Sequence, residues 1–198
     1  MLSVKLAVEM TDLNLISESV LICKKCSLGH ERTNAVPGSG NPKSTILFIG
    51  EAPGRYEDEQ GVPFVGRAGR LLDSLLESIG LDRSEVFVTN MLKCRPPKNR
   101  DPLPDELKAC GPYLNKQIEL INPKIIVTLG RFSFAWFFPN IPIGEARGKP
   151  IDLENGTVVY PMYHPAAALR NGKIRQKAEQ DFLNLQKIIA NPTTKVPK

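Results

Sequence analysis

Four cysteines are the residues of this sequence whose spacing most directly indicates chemistry. Cys23 and Cys26 form a Cys-x-x-Cys pair, and Cys94 and Cys110 follow with fifteen residues between them. Four thiolates can hold a zinc ion or an iron–sulfur cluster, and the spacing alone does not separate the two. The alternatives are buried cysteines beside an unrelated pair, and a thioredoxin-like redox pair. The redox pair is disfavoured because the Cys-x-x-Cys precedes the first predicted strand.

A long loop with a specified conformation follows the first apolar segment. It runs from Gly50 to Gly69 and holds five glycines and two prolines, which fix turns and allow a ligand close approach to the backbone. Phe64 offers a flat stacking face, and Glu51 and Glu57 offer carboxylates. The loop lacks a Gly-Lys-Ser/Thr ending, and no G-x-G-x-x-G follows the strand directly. A nucleotide-phosphate site is therefore disfavoured.

An asparagine and a histidine end two further apolar segments. Asn90 lies before a stretch rich in cations, and its amide can pair with the edge of a nucleobase or cap a turn. The residue chemistry favours neither role over the other. His164 precedes Pro165, and although a lone histidine is more often structural, one at a strand end is well placed for catalysis.

The elements that position these residues are predicted from hydrophobic patterning. Four apolar, β-branched segments predict strands at 45–49, 86–90, 124–129 and 158–163. Apolar residues at helical spacing predict helices around 71–79, 114–121 and 178–189. Strands that are apolar on both faces and alternate with helices predict an α/β fold, a three-layer α/β/α sandwich with a central four-stranded parallel sheet. Ligands bind at the carboxyl ends of such strands.

Composition sets the size, the charge and the class of protein. The 198 residues predict a single domain over 1–190, followed by a disordered Pro- and Lys-rich tail over 191–198. The net charge of +5 and the pI of about 9.0 modestly favour an acidic partner such as nucleic acid. No apolar run approaches the roughly 20 residues that cross a bilayer, and the N-terminus lacks the features of a secretory signal. We therefore expect a cytoplasmic, monomeric protein without membrane attachment, whose cysteines do not form disulfides.

Taken together, the motifs resemble those of one known family. The segments GEAPG, GVPFVGRAG, TNMLKCRPPKNR and HPAAALR occur in the order, and with the cysteine spacing, of the family 4 iron–sulfur uracil-DNA glycosylases. The resemblance implies the uracil-glycosylase fold and a [4Fe-4S] cluster on Cys23, Cys26, Cys94 and Cys110. It also implies an enzyme that binds uracil-containing DNA, flips uracil out and hydrolyses its N-glycosidic bond in base excision repair.

The resemblance further implies roles for individual residues. Phe64 stacks on the flipped uracil, Asn90 hydrogen-bonds to its polar edge, and His164 donates a hydrogen bond to O2 of the departing base. Leu169 fills the gap left in the base stack, and Arg170 meets DNA phosphates.

The sequence departs from the best-known uracil-glycosylase branch at two positions of the first loop. Ala52 stands where that branch has an aspartate that holds water, and Gly54 stands where it has a tyrosine that excludes thymine. Glu57 is the candidate substitute for the tyrosine. The substrate-binding backbone is expected at Gly50, Ala52 and Gly54. The candidates for positioning water are Glu51, Glu57 and Asn99.

Three alternatives remain open at this stage. One is a module that binds uracil-containing or single-stranded DNA without cutting it, which the presence of Asn90 and His164 disfavours. Another is a related branch that traps uracil-containing DNA covalently through an extra histidine in the loop after the second strand. Residues 98–102 of that loop contain no histidine, which disfavours this branch. The last is a zinc-bound scaffold, which predicts a colourless protein without turnover. The sequence identifies no protein that recruits this chain.

Overall fold

A mixed sheet forms the centre of the computed structural model, which describes residues 2–190, with side chains described from residue 12 onward. Its strands are β1 (Ser39–Gly40), β2 (Ile46–Gly50), β3 (Phe87–Asn90), β4 (Ile125–Leu129), β5 (Ile151–Asp152) and β6 (Val158–Met162). Their order across the sheet is β1-β3-β2-β4-β6-β5. The four inner strands are parallel, and β1 and β5 pair antiparallel at the two edges.

The predicted four-stranded parallel sheet is therefore confirmed as the centre of a six-stranded sheet. Each edge strand has only two residues, which is too short to produce a periodic pattern in the sequence. The tail predicted over 191–198 lies outside the described residues.

Helices cover both faces of the sheet, as the three-layer prediction requires. They are α1 (Leu2–Leu21), α2 (Leu28–Glu31), α3 (Arg55–Gln60), α4 (Arg67–Glu77), α5 (Pro104–Ile121), α6 (Arg131–Ala135), α7 (Ile143–Ala146), α8 (Pro165–Ala168) and α9 (Gly172–Ala190). The patterns around 71–79, 114–121 and 178–189 correspond to α4, α5 and α9. The first helix was not predicted, because its apolar residues do not gather on one side. Within residues 2–190, no helix combines the length and the apolar character needed to span a membrane.

Two hydrophobic clusters hold the layers together, one on each face of the sheet. Phe48 points to the face covered by α4 and α9, where its ring stacks on Phe182 at 6.1 Å between centroids. Its neighbours Leu47 and Ile49 point to the opposite face, which α5 and α6 cover through residues such as Leu114. This alternation is the period of two that a strand imposes on its side chains.

The parallel arrangement brings the candidate site residues to one edge of the sheet. Gly50 and Asn90 are directly paired at the ends of β2 and β3. His164 follows β6 by two residues, and Arg131 follows β4 by two. The four loops that leave the inner strands therefore meet at the carboxyl edge, where ligands bind in sheets of this kind.

Candidate active site

A cavity of about 360 Å³ opens at this carboxyl edge of the sheet. The residues around it come from the loop after β2, the loop after β3 and the loop after β6. Most of the predicted site residues line it, namely Glu51, Ala52, Gly54, Glu57, Phe64, Asn90, Asn99, His164 and Arg170.

The aromatic wall of the cavity is Phe64, which is held in an unusual backbone conformation. Its φ of 57° lies in the left-handed region, where a bulky residue is strained. Gly69 makes this conformation possible, since a Cβ there would lie 1.8 Å from the Phe64 carbonyl oxygen. The Phe64 ring packs against the His164 imidazole with 5.7 Å between centroids and an interplanar angle of 28°. A strained backbone conformation persists only where the surrounding structure maintains it, and such positions are concentrated at functional sites.

The amide of Asn90 forms the polar end of the cavity. The residue is 1% exposed, and its Oδ1 has no hydrogen-bond partner among the described residues. Gly50 leaves room for this amide, because a Cβ at position 50 would lie 2.3 Å from Asn90 Oδ1 and 2.7 Å from the Phe64 ring. A buried acceptor without a partner costs about 1–3 kcal/mol, so a ligand that donates to it recovers that energy.

The hydrogen bond of His164 determines its tautomer. Its Nδ1 accepts a hydrogen bond from the backbone N–H of Ala166 at 3.1 Å, so the ring proton lies on Nε2. Burial lowers the pKa of His164 to about 4; the Glu57 carboxylate raises it and the Arg170 guanidinium lowers it further. At neutral pH the cavity therefore contains an uncharged imidazole whose Nε2–H can donate a hydrogen bond to a ligand.

Glu57 organises the first loop and faces the cavity. Its Oε1 accepts hydrogen bonds from the backbone N–H groups of Val65 at 3.0 Å and Gly66 at 2.8 Å. Its Oε2 lies 2.6 Å from the position that a Cβ at Gly54 would occupy. The Glu57 carboxylate thus fills the space that a side chain at position 54 would enter.

Glu51 and Asn99, the other predicted polar groups, differ in their surroundings. Burial raises the pKa of Glu51; the Asp101 carboxylate adds to this effect and the Arg131 guanidinium opposes it. Asn99 is exposed at the rim of the cavity, and its Oδ1 accepts a hydrogen bond from Arg95 Nε at 2.8 Å. Glu51 is therefore the more enclosed of the two groups.

Two predicted residues do not line the cavity. Gly50 lies beneath it, where the absence of a side chain admits Asn90 and Phe64. Leu169 is partly buried and packs against the hydrophobic cluster under α4 and α9, whereas Arg170 is exposed at the cavity. The predicted insertion of Leu169 into DNA stays a prediction.

The four cysteines converge on a second, separate cavity. Cys23 and Cys26 reach it from the segment between α1 and α2, Cys94 from the loop after β3, and Cys110 from α5. Within residues 12–190, no three Cys, His, Asp or Glu side chains lie close enough together to hold a single metal ion.

Donors surround the sulfur atoms of this second cavity. Arg32 Nη1 donates to Cys94 Sγ at 3.0 Å, and the backbone N–H of Lys93 donates to Cys110 Sγ at 3.3 Å. Burial raises the pKa of the Cys110 thiol to about 11, so a cationic centre is needed to keep it ionised near neutral pH.

Comparison with known proteins establishes the family. Residues 37–186 match the model of the Uracil DNA glycosylase superfamily. The chain is 50% identical to the type-4 uracil-DNA glycosylase of Sulfurisphaera tokodaii, with 92% of this chain and 87% of the relative covered. It is 50% identical to that of Saccharolobus solfataricus, with 92% and 88% covered, and 47% identical to that of Archaeoglobus fulgidus, with 87% and 91% covered. The chain belongs to the type-4 uracil-DNA glycosylase family.

Membership of the type-4 family implies an iron–sulfur centre, and the cysteine cavity of this glycosylase fits one. All four cysteines line one cavity, and four thiolates are the ligand set that an iron–sulfur cluster takes. N–H groups that donate to sulfur, as at Cys94 and Cys110, are typical of iron–sulfur ligands.

Two ion pairs at this site were not predicted from the sequence. Arg100 binds the fully buried Glu106 through two hydrogen bonds, of 2.9 and 2.6 Å, and Arg131 pairs with Asp101. The inward orientation of Glu106 could have been predicted. Pro104 followed by Glu106 marks the start of a helix in which the carboxylate of the third residue accepts a hydrogen bond from the backbone N–H just before the helix, here that of Leu103. The second ion pair joins the loops after β3 and β4, and pairings between distant loops leave no trace in local spacing.

We expect the His164 imidazole to stay neutral, with its proton on Nε2, down to about pH 5. An ordinary histidine titrates near pH 6.5, and the lowered pKa moves protonation toward pH 4. Nitrogen-15 NMR of imidazole-labelled protein between pH 4 and 8 measures this directly. The chain has only two histidines, so the variant His30→Gln assigns the signals. A midpoint at or above pH 6, or a proton on Nδ1, contradicts the assignment.

Proposed function

We propose that this chain hydrolyses the N-glycosidic bond of deoxyuridine in DNA, at the cavity formed by Phe64, Asn90 and His164. The product is free uracil, and an abasic site remains for base excision repair. The observation that carries the proposal is the buried Asn90 Oδ1 without a partner, which faces a cavity that also contains a stacking ring and a neutral imidazole donor.

Recognition of uracil follows from the hydrogen-bonding groups of Asn90. Its Oδ1 accepts from uracil N3–H and its Nδ2 donates to uracil O4, while Phe64 stacks on the ring. Cytosine presents an unprotonated N3 and an amino group, so both pairings fail and buried groups stay unpaired. Glu57 limits the space beside Gly54, and we assign to it the exclusion of the 5-methyl group of thymine.

Bond cleavage places negative charge on the departing base and positive charge on the sugar. His164 Nε2–H donates to uracil O2 and stabilises the charge that the C1′–N1 electron pair brings to the base. Because the imidazole is neutral and its pKa is low, it acts as a hydrogen-bond donor and keeps its proton. A water molecule adds to C1′ and loses a proton to Glu51 or to solvent, and the departing uracil anion takes up a proton from solvent to give free uracil. Asn99 lies at the rim and helps to hold that water.

A basic surface beside the cavity supports DNA binding. A cleft of about 650 Å³ is lined by cations on the segment before β5 and on α9, the helix that follows the predicted wedge Leu169 and Arg170 in the chain. Lys149, Lys173 and Lys177 are exposed in it, and none of them forms an ion pair within the described residues. Phosphates of the strand that carries the flipped nucleotide would neutralise these charges.

The iron–sulfur centre is proposed to be a [4Fe-4S] cluster held by all four cysteines. When bound, it would supply a cationic centre that keeps the four thiolates ionised. The hydrolysis has no oxidation or reduction step, so the role of the cluster here is structural. It ties the segment between α1 and α2 to the loop after β3 and to α5, and the loop after β3 carries the rim of the active site.

The activity is tested with a single uracil in a U:G duplex. We expect cluster-loaded wild type to release uracil, and the variants Asn90→Ala and His164→Ala to be slower by about 100-fold or more in single-turnover rate. His30→Ala, which changes the other, exposed histidine, should leave the rate unchanged. Tight binding of the duplex by loaded wild type without release of uracil would favour a damage-recognition module and contradict the proposal.

The cluster is tested by metal analysis and thermal unfolding. Wild type should be brown and contain about four iron atoms per chain, and Cys110→Ser should lose both colour and iron. Because the centre joins three segments, iron removal should lower Tm by about 5 °C or more. Ser27→Ala, a change in the same segment at a side chain that does not face the cysteine cavity, is the matched control. A colourless protein with one zinc ion, or an unchanged Tm without iron, contradicts the assignment.

The DNA surface is tested by the salt dependence of binding. Each lost phosphate contact reduces the slope of log affinity against log salt by about 0.9. The triple variant Lys149→Gln, Lys173→Gln, Lys177→Gln should therefore flatten the slope by about 2 to 3.

A matched triple variant changes exposed lysines at the opposite edge of the sheet, where the strands begin. These are Lys43, Lys124 and Lys187. Equal slopes for the two triple variants would show that the cleft does not contact DNA phosphates.

A further inference from the structure

Lys93 is a buried lysine that the proposed chemistry does not use. It is 1% exposed and lies between Asn90 and Cys94 in the sequence. Its Nζ donates to three acceptors, Thr89 Oγ1 at 2.6 Å, the Asn90 carbonyl oxygen at 2.8 Å and Gln117 Oε1 at 2.6 Å. Three acceptors use all three protons of an ammonium group, so every donor of this side chain is satisfied.

The partners of Lys93 join parts of the chain that are distant in sequence. Thr89 belongs to β3 and Gln117 to α5, and both donate to the carbonyl oxygen of Pro37, at 2.9 and 2.8 Å. The backbone of Lys93 adds two more contacts, since its carbonyl accepts from Val36 N–H at 2.8 Å and its N–H donates to Cys110 Sγ at 3.3 Å. One residue therefore connects the end of β3, α5 and the segment before β1.

The same residue lies between the cysteine cavity and the cavity of Phe64 and His164. Lys93 lines the cysteine cavity but not the cavity of Phe64 and His164. Its ammonium group contacts the active site only through the Asn90 carbonyl. Asn90 is the last residue of β3, and just beyond it the backbone N–H groups of Met91 and Leu92 donate to the carbonyl oxygens of Gly50 and Glu51, both at 3.0 Å. The orientation of its amide is therefore set by how the backbone at this point is held.

We propose that Lys93 is a positioning residue, whose ammonium group fixes the Asn90 backbone so that the amide meets uracil at N3 and O4. The inference rests on the proposed function. A buried amino group with three acceptors is a stiff support, because moving the Asn90 carbonyl would leave one of its donors unpaired in the interior. Displacement of a binding group by about 1 Å can cost 100-fold in rate, so this support matters to catalysis.

The test is a double-mutant cycle between Lys93→Met and Asn90→Ala. Methionine keeps the length of the side chain and removes its donors. In otherwise wild-type protein, which retains Asn90, we expect Lys93→Met to lower the single-turnover rate of uracil release by about 10- to 100-fold. In the Asn90→Ala background the same change should alter the rate by about two-fold or less, because the group that Lys93 positions is gone. Rates are normalised to iron content.

Two further variants separate positioning from general loss of stability. Phe182→Leu truncates the core on the α9 side of the sheet, far from Lys93, and should lower Tm without changing the rate. Gln117→Leu removes one acceptor of the ammonium and keeps Lys93. It should show a smaller loss of rate that also disappears in the Asn90→Ala background. This second cycle decides the question if Lys93→Met does not load iron.

The outcomes distinguish this inference from the proposed function. If loaded wild type releases no uracil, the proposed function itself fails. If wild type is active and the Lys93→Met and Gln117→Leu effects are equally large with and without the Asn90 amide, Lys93 is only a structural residue and the inference is overturned. If both effects vanish in the Asn90→Ala background, Lys93 acts through Asn90.

Discussion

The site depends on one steric constraint at the ends of two paired strands. Gly50 and Asn90 lie side by side where β2 and β3 end, and any side chain at position 50 would meet both the Asn90 amide and the Phe64 ring. The parallel register brings the two residues together, and glycine leaves the volume into which a flat base can fit. The strained Phe64 backbone, the close approach at Gly69 and the Glu57 contacts to the loop all maintain that volume.

Burial then gives the polar groups of the cavity their properties. It lowers the pKa of His164 and raises that of Glu51, so the imidazole stays neutral while the carboxyl group is shifted toward protonation. A neutral donor suits a reaction in which charge develops on the leaving base, because it stabilises that charge without first giving up a proton. The low-dielectric surroundings that perturb these groups also strengthen each hydrogen bond to the base.

Much of the fold and of the site could be predicted from the sequence, and the reasons differ by element. The inner strands are short segments that are apolar on both faces and alternate with helical patterns, so their existence and parallel arrangement could be predicted from hydrophobic patterning. Phe64, Asn90 and His164 could be placed because strand exits of a parallel sheet converge. The edge strands and α1 were missed because they lack length or periodicity. The burial of Lys93 was missed because a lysine in a cationic stretch resembles a solvated one, and only the fold brings Gln117 and Thr89 to it.

The central claim is that Asn90 Oδ1 accepts a hydrogen bond from uracil N3–H. The most direct measurement compares the release of uracil and of 3-methyluracil, which lacks that proton, from single-stranded oligonucleotides by wild type and by Asn90→Ala. We expect wild type to release uracil at least about 100-fold faster than 3-methyluracil, and Asn90→Ala to release both slowly and at similar rates. Equal rates for the two bases with wild type, or an undiminished preference in Asn90→Ala, would contradict it.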